Sequence, residues 1–290
     1  MNQLAYRLIN WYVRRYSFPH RGWKYFAALL RRLKIDKKQY QKKIAPGLFI
    51  NVNAFDHIQQ QLFWYGKYDS GVAVFFENII TKDSVVIDAG ANIGYFTLLA
   101  AQKAAAGKVY SFEPVLFLYR QLEQNIKLNN LANVYPVKKA LTRTEGSAII
   151  YESTSDNTGM NSLQKPENYS GRFEKTDCTS LDVFLGEYNE AKPVIVKIDT
   201  EGAEMEILQG MVHCLQNLKP LLIVEIFNEH LQRFGNSAEM VFNFLADVGY
   251  EAWSITDSHT LKKINEVVES NGIVFSPQGY VFASHIKLLN

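Results

Sequence analysis

VVIDAGANIGYFTLLAA, Val85 to Ala101, runs an apolar segment into one aspartate, two glycines and a second apolar segment. Val85 to Asp88 reads as a buried strand and Tyr95 to Lys103 as the helix that follows it. The turn between them is built from small residues. Gly90 lets the backbone bend and come close to a bound molecule, Asn92 tolerates a left-handed conformation, and Gly94 lets the helix pack near the strand. The turn spells GxxxG rather than the GxGxxG that seats a pyrophosphate on a helix N-terminus, and an acid precedes it. An anion at that strand end repels phosphate and attracts a cation.

Outward from this stretch the pattern is regular. Lys108 to Phe112, Val134 to Lys138, Val194 to Ile198 and Leu221 to Ile226 read as strands, and Leu116 to Asn129, Glu204 to Leu218 and Ser237 to Val248 as helices. Strands alternating with helices imply right-handed crossovers and a doubly wound, Rossmann-like α/β fold with a mostly parallel sheet. Upstream, Gly47 to Asn53 reads as a strand, and Gln59 to Tyr68 leads into a helix over Gly71 to Ile80. Near the end, Glu251 to Ile255, Gly272 to Phe275 and Tyr280 to Ser284 give short strand patterns, with no crossover between the last two. That spacing predicts a terminal antiparallel hairpin. The polar stretch from Leu141 to Leu181 is strand-like over Ser147 to Glu152 and loop-like over Ser153 to Ser170, suited to a lid or substrate wall.

The chain has 290 residues, 47% of them hydrophobic, enough to bury a large core in one or two domains. Cys178 and Cys214 lack metal or disulfide spacing, which fits a reducing cytoplasm. No apolar run reaches the roughly 18 residues of a bilayer span, so a soluble, unsecreted protein is expected. Charge is uneven: residues 1 to 43 carry twelve Lys or Arg and one acid, Asp36, leaving nineteen bases and twenty-eight acids, so a segment of +11 precedes a body of −9. Gln3 to Tyr16 and Trp23 to Leu33 read as helices, with Trp11, Tyr12, Trp23, Tyr25 and Phe26 among the arginines. Two readings stay open for this segment: aromatics packed on the next domain with a solvated basic face, or contact with an anionic membrane surface or lipid-linked substrate, peripheral at the inner membrane face. The expected division is a basic, aromatic-rich helical segment over 1–45 and a catalytic domain over 46–290.

In an open parallel sheet, ligands bind beyond the carboxyl ends of the strands, where the winding reverses. Asp88 ends the first such strand. Glu113, in Tyr110-Ser111-Phe112-Glu113-Pro114, ends the next and is placed to accept from both ribose hydroxyls of a nucleoside. An acid for a cation and an acid for a ribose together suit S-adenosylmethionine, which carries an ammonium and a sulfonium. Ala91, Asn92, Pro114, Ala140 and Asp199 complete the expected cofactor set. Asp199 and Glu225 end two further strands and would project into the same crevice, where crowded acids need a proton, a hydrogen bond or a metal.

DAGANIGYFTLLAA, YSFEP, TSLDVFL, VKIDTEGAEMEILQG and LLIVEI together resemble the FkbM family of class I S-adenosylmethionine-dependent methyltransferases, over roughly Tyr65 to Phe282. The resemblance implies a seven-stranded sheet with an antiparallel final strand and O-methylation of a hydroxyl, commonly on a sugar or polyketide. It also implies that Asp88, Gly90, Asn92 and Gly94 form the cofactor loop and that Glu113 is the ribose acid. Residues before about Lys43 fall outside it. A sugar hydroxyl needs activation, and Asp199 with Glu225 is the expected pair, either holding Mg²⁺ or with Asp199 as direct base; His230 is a second base candidate. A glycan or small-molecule acceptor is expected. Nucleic acid is not, since no Asn-Pro-Pro-aromatic or Asp-Pro-Pro-aromatic run is present. The alternatives are a nicotinamide-dependent oxidoreductase, disfavoured by the missing GxGxxG, and a catalytically inactive membrane-associated binding protein, disfavoured by the intact acids.

Overall fold

The computed structural model describes residues 39–53, 56–153, 161–165, 169–186 and 193–289. The two basic helices expected before residue 34 lie outside the described residues, as does most of the loop expected over Ser153 to Ser170. The chain divides into two compact units, with the break after Tyr68.

In the first unit β1 (Gln39–Ala45) and β2 (Leu48–Asn53) form an antiparallel hairpin, and α1 (His57–Tyr65) follows. Leu48, Ile50 and Val52 alternate inward as a half-buried strand should. Asp56 caps α1 by accepting from the Gln59 amide at 3.0 Å, and left-handed Gly66 closes it. Phe63 of α1 meets Tyr40 edge-on at 4.8 Å, with Lys42 Nζ 4.1 Å from the centre of its ring. The expected domain boundary at residue 45 therefore falls inside a hairpin. Alternating charged residues hid β1 within the basic segment.

The second unit contains α2 (Ser70–Ile79), β3 (Val85–Ala89), α3 (Tyr95–Lys103), β4 (Lys108–Phe112), α4 (Leu116–Leu128) and β5 (Val134–Val137). Then come β6 (Ala140–Leu141), β7 (Gly146–Ser153), β8 (Tyr169–Thr179), α5 (Leu181–Leu185), β9 (Val194–Ile198), α6 (Glu204–Gln209), α7 (Val212–Asn217) and β10 (Leu221–Ile226). The chain ends with α8 (Asn228–Leu231), α9 (Ala238–Asp247), β11 (Tyr250–Asp257), β12 (Thr260–Lys263), β13 (Ser270–Pro277) and β14 (Lys287–Leu289). The main sheet has the order β14-β12-β11-β13-β10-β9-β3-β4-β5. From β10 to β5 every pairing is parallel, and β13 runs antiparallel to both β10 and β11.

Seven of these strands, from β11 to β5, make the expected doubly wound sheet, and β12 and β14 extend it at one edge. The expected hairpin between Gly272–Phe275 and Tyr280–Ser284 is not formed. Ile273, Val274 and Phe275 are all but fully buried, so β13 sits in the sheet interior, whereas Val281 is 89% exposed and gains nothing by pairing. The antiparallel hairpin near the end joins β11 to β12 instead. The helix expected over Glu204 to Leu218 is two helices that part at Gly210 and Met211, and Gly210 lies against the Thr142 carbonyl, where any side chain would collide. The polar stretch after Leu141 holds the separate sheet β6-β8-β7.

The winding reverses at β3. From there β4 and β5 step one way and β9 and β10 the other, so the carboxyl ends of β3, β4, β9 and β10 open one crevice.

Candidate active site

Asp88 ends β3 with only 1% of its surface exposed. Its Oδ2 accepts from the Thr97 hydroxyl at 2.6 Å, and Thr97 Oγ1 lies 2.9 Å from Ser111 Oγ on β4. Its Oδ1 is buried and accepts no hydrogen bond. Burial pushes this carboxyl above the usual range, and the Lys197 ammonium pulls it back. An acceptor left open in so dry a place fits a cationic or hydrogen-donating ligand.

The loop after Asp88 is stapled to its neighbours. The Gly90 and Ala91 amides donate to the Phe112 carbonyl, and Asn125 Nδ2 of α4 donates to the Ile93 carbonyl at 2.8 Å. Gly90 (φ 82°) is glycine because a Cβ there would run into the Asp199 carbonyl, and Gly94 (φ 97°) because one would press on Leu122 at 2.7 Å. Both glycines thus answer to packing, as read for Gly94, whereas for Gly90 the close neighbour is a backbone carbonyl rather than the expected ligand. Asn92 is left-handed (φ 52°), as read from its type. Its amide donates to Glu113 Oε2 at 2.8 Å, and the Val115 amide donates to Oε1 at 2.9 Å. Burial outweighs these two bonds and lifts the Glu113 carboxyl to about 7. Each of its oxygens keeps a lone pair for a further donor. Ala140 is buried in β6, and the Pro114 carbonyl accepts weakly from Thr176 at 3.5 Å.

Lys197 of β9 was not anticipated. It lies beside Asp88 in register, is 3% exposed, and its Nζ sits 2.8 Å from Asp199 Oδ2 and 4.3 Å from the centre of the Phe96 ring. Burial works against its charge, yet Asp199, Asp88 and Glu225 together outweigh burial and raise it above the ordinary lysine value. Asp199 Oδ2 is thereby held in an ion pair, and the side chains whose ligand atoms come together are Glu201, Glu225 and His230 rather than the expected Asp199 and Glu225. The signal was present in the motif, because a lysine inside an otherwise apolar strand needs an anion nearby.

Glu225 instead converges with Glu201 and His230. Nδ1 of His230 lies 3.2 Å from Glu201 Oε2 and 3.9 Å from Glu225 Oε2. One ligand atom from each of the three falls within 4.8 Å of the others, so the group has the makings of a metal site. Glu201 carries no site role in the sequence reading. It is placed by a left-handed turn (φ 57°) ahead of Gly202 (φ 115°), which backs onto the His230 carbonyl and Phe234. Glu204 locks that turn, its Oε1 accepting from the Thr200 amide, the Thr200 hydroxyl and the Gly202 amide at 3.0 to 3.2 Å. Glu225 sits where the pairing of β10 with β13 slips between Val224 and Ile226, a bulge that re-aims a side chain. Burial, then Asp199 and Glu204, push Glu201 to about 8; burial followed by Asp199 and Glu201 raises Glu225 as well. Burial and Arg233 lower His230, keeping its imidazole neutral near pH 7.

Among the described residues no helix is long and apolar enough to cross a membrane. Cys178 and Cys214 are buried thiols.

Residues 88–252 match the Methyltransferase FkbM domain. Among curated proteins, Methyltransferase 1 of Beauveria bassiana is 30% identical over 147 residues, covering 44% of this chain and 59% of that protein. Hexuronic acid methyltransferase AglP of Haloferax volcanii is 31% identical over 145 residues, covering 50% of this chain and 56% of that protein. The chain thus aligns with somewhat more than half the length of these relatives. Among solved structures, methyltransferase FkbM from Methylobacillus flagellatus is 12% identical with a TM-score of 0.46, over 68% of this chain and 44% of that one.

Proposed function

The chain belongs to the FkbM methyltransferase family, and from that premise we propose that it moves a methyl group from S-adenosylmethionine to a hydroxyl oxygen of a sugar. The observation that carries the cofactor is the open, buried Asp88 Oδ1 beside the Glu113 carboxyl at the end of the next strand. The similarity to a hexuronic acid methyltransferase supports a sugar as acceptor. Family membership sets the nicotinamide reading aside.

S-adenosylmethionine, when bound, supplies a methyl group on a positively charged sulfur. Asp88 presents the anion that such a molecule needs, and Lys197 moderates it, so the pocket holds one buried negative charge rather than several in conflict. The loop from Gly90 to Gly94, with Ala91 and Asn92, walls the cofactor space. Glu113, with Pro114 and Ala140 at its flank, takes the ribose hydroxyls. On the far side of the crevice Glu201, Glu225 and His230 make the acceptor hydroxyl more nucleophilic as its proton leaves. Asp199 holds Lys197 in place, and Mg²⁺ on Asp199 and Glu225 is replaced in this reading by chemistry at the three-residue cluster.

The test is to incubate the full chain with methyl-labelled S-adenosylmethionine and glycans containing hexuronic acids. Label is expected in a methyl ether that survives mild base. Label lost with mild base would mean an ester on the carboxylate, and the hydroxyl reading would be wrong.

A further inference from the structure

We propose that Glu201, Glu225 and His230 form a binding site for one divalent transition-metal cation, with Mn²⁺ a better fit than Mg²⁺. The idea rests on the methyl-transfer reading only for the use made of the ion, not for its binding.

Three observations converge. The ligand atoms of the three side chains lie within 4.8 Å of one another although they come from a turn, a strand bulge and a one-turn helix. Glu201 Oε2 and Glu225 Oε2 are shut off from solvent and accept no hydrogen bond, and both lie against His230 Nδ1, at 3.2 and 3.9 Å. Lys197 is engaged with Asp199 at 2.8 Å and so does not pair with the cluster, while Arg233 reaches Glu229 at 3.7 Å and keeps a buried Nη1 without a partner. Two carboxylate oxygens and an imidazole nitrogen therefore face one shared place within 4.8 Å of one another.

The donor set decides the ion. Mg²⁺ favours an all-oxygen shell and keeps most of its waters, whereas an imidazole nitrogen beside two carboxylates suits Mn²⁺, Fe²⁺ or Zn²⁺. Three protein ligands leave coordination positions open, the mark of a site that receives an oxygen ligand rather than one that only braces the fold. The acceptor hydroxyl is the natural occupant, since a cation there lowers the cost of its losing a proton to water.

The experiment titrates Mn²⁺ into the metal-free full chain and follows loss of the free-ion electron paramagnetic resonance signal, with S-adenosylhomocysteine binding measured by calorimetry on the same material. One Mn²⁺ per chain is expected, and the bound ion should show hyperfine coupling to one imidazole nitrogen. Glu225→Gln and His230→Gln should each weaken Mn²⁺ at least about tenfold while S-adenosylhomocysteine still binds, which also certifies the fold. Mn²⁺ that stays free at millimolar concentration, or binds without nitrogen coupling, overturns the proposal even if the variants do not fold. Loss of S-adenosylhomocysteine binding by the wild-type chain would count against the methyl-transfer reading alone.

Discussion

Glu113 shows how one residue's environment overrides its type. Two amide donors favour its ionised form, but burial of the carboxyl is the larger effect and carries it to about 7 from the ordinary 4.5 of a glutamate. Because the folded value lies above the unfolded one, this group favours the fold most below about pH 4.5, and that contribution is lost as pH rises through 7. A carbon-detected NMR titration should place the Glu113 midpoint near 7; a midpoint below 5 would mean the carboxyl is better solvated than its surroundings suggest. Gly90 makes the complementary case. An alanine there must keep φ near 82° and push its Cβ toward the Asp199 carbonyl, so Gly90→Ala should cost at least about 2 kcal/mol, read as a lowered melting temperature. An unchanged melting temperature would show that the β3 and β9 ends are free to separate. Both positions are legible from residue type, yet at Gly90 the expected neighbour is a ligand and the actual one is the Asp199 backbone carbonyl. Residue type discloses that space is scarce, not what fills it.

At the scale of elements, buried parallel strands were legible and polar ones were not. β3, β9 and β10 are buried almost throughout and apolar except at Asp88, Lys197 and Glu225, as strands in the interior of a parallel sheet are. β1 and β8, by contrast, alternate exposed polar and charged residues, and nothing in local composition separates such strands from loops. The site followed the same rule. Asp88, Glu113, Glu225 and His230 were legible as acids or a base at strand ends, whereas Glu201 joined the cluster through a left-handed turn that only the packed structure reveals. That turn depends on Gly202, whose φ of 115° no other residue adopts easily and whose missing side chain makes room for the His230 carbonyl. Gly202→Ala should therefore displace α8 and Glu201 together, lowering the methyl-transfer rate at least about tenfold while S-adenosylhomocysteine binding changes little. Equal loss of both would mean the turn supports the whole crevice rather than its acceptor side.

For the whole molecule the division of charge is the feature that composition made plain: +11 over residues 1–43 against −9 over the rest. The reading of this segment as a contact for an anionic membrane surface or lipid-linked substrate carries a measurable consequence. The full chain should then sediment with vesicles containing anionic lipid at low salt and be released as ionic strength rises; equal partition onto zwitterionic vesicles would contradict this. The catalytic account is independent of that segment. It depends on a crevice whose β3 end offers an unfilled anionic oxygen to a cation and whose β4 end offers a second acid to a ribose. Calorimetric titration of the full chain with S-adenosylmethionine tests this most directly. Saturable binding, abolished in Asp88→Ala and unmatched by a nicotinamide dinucleotide, is the predicted result; no binding of S-adenosylmethionine together with saturation by the dinucleotide would contradict it.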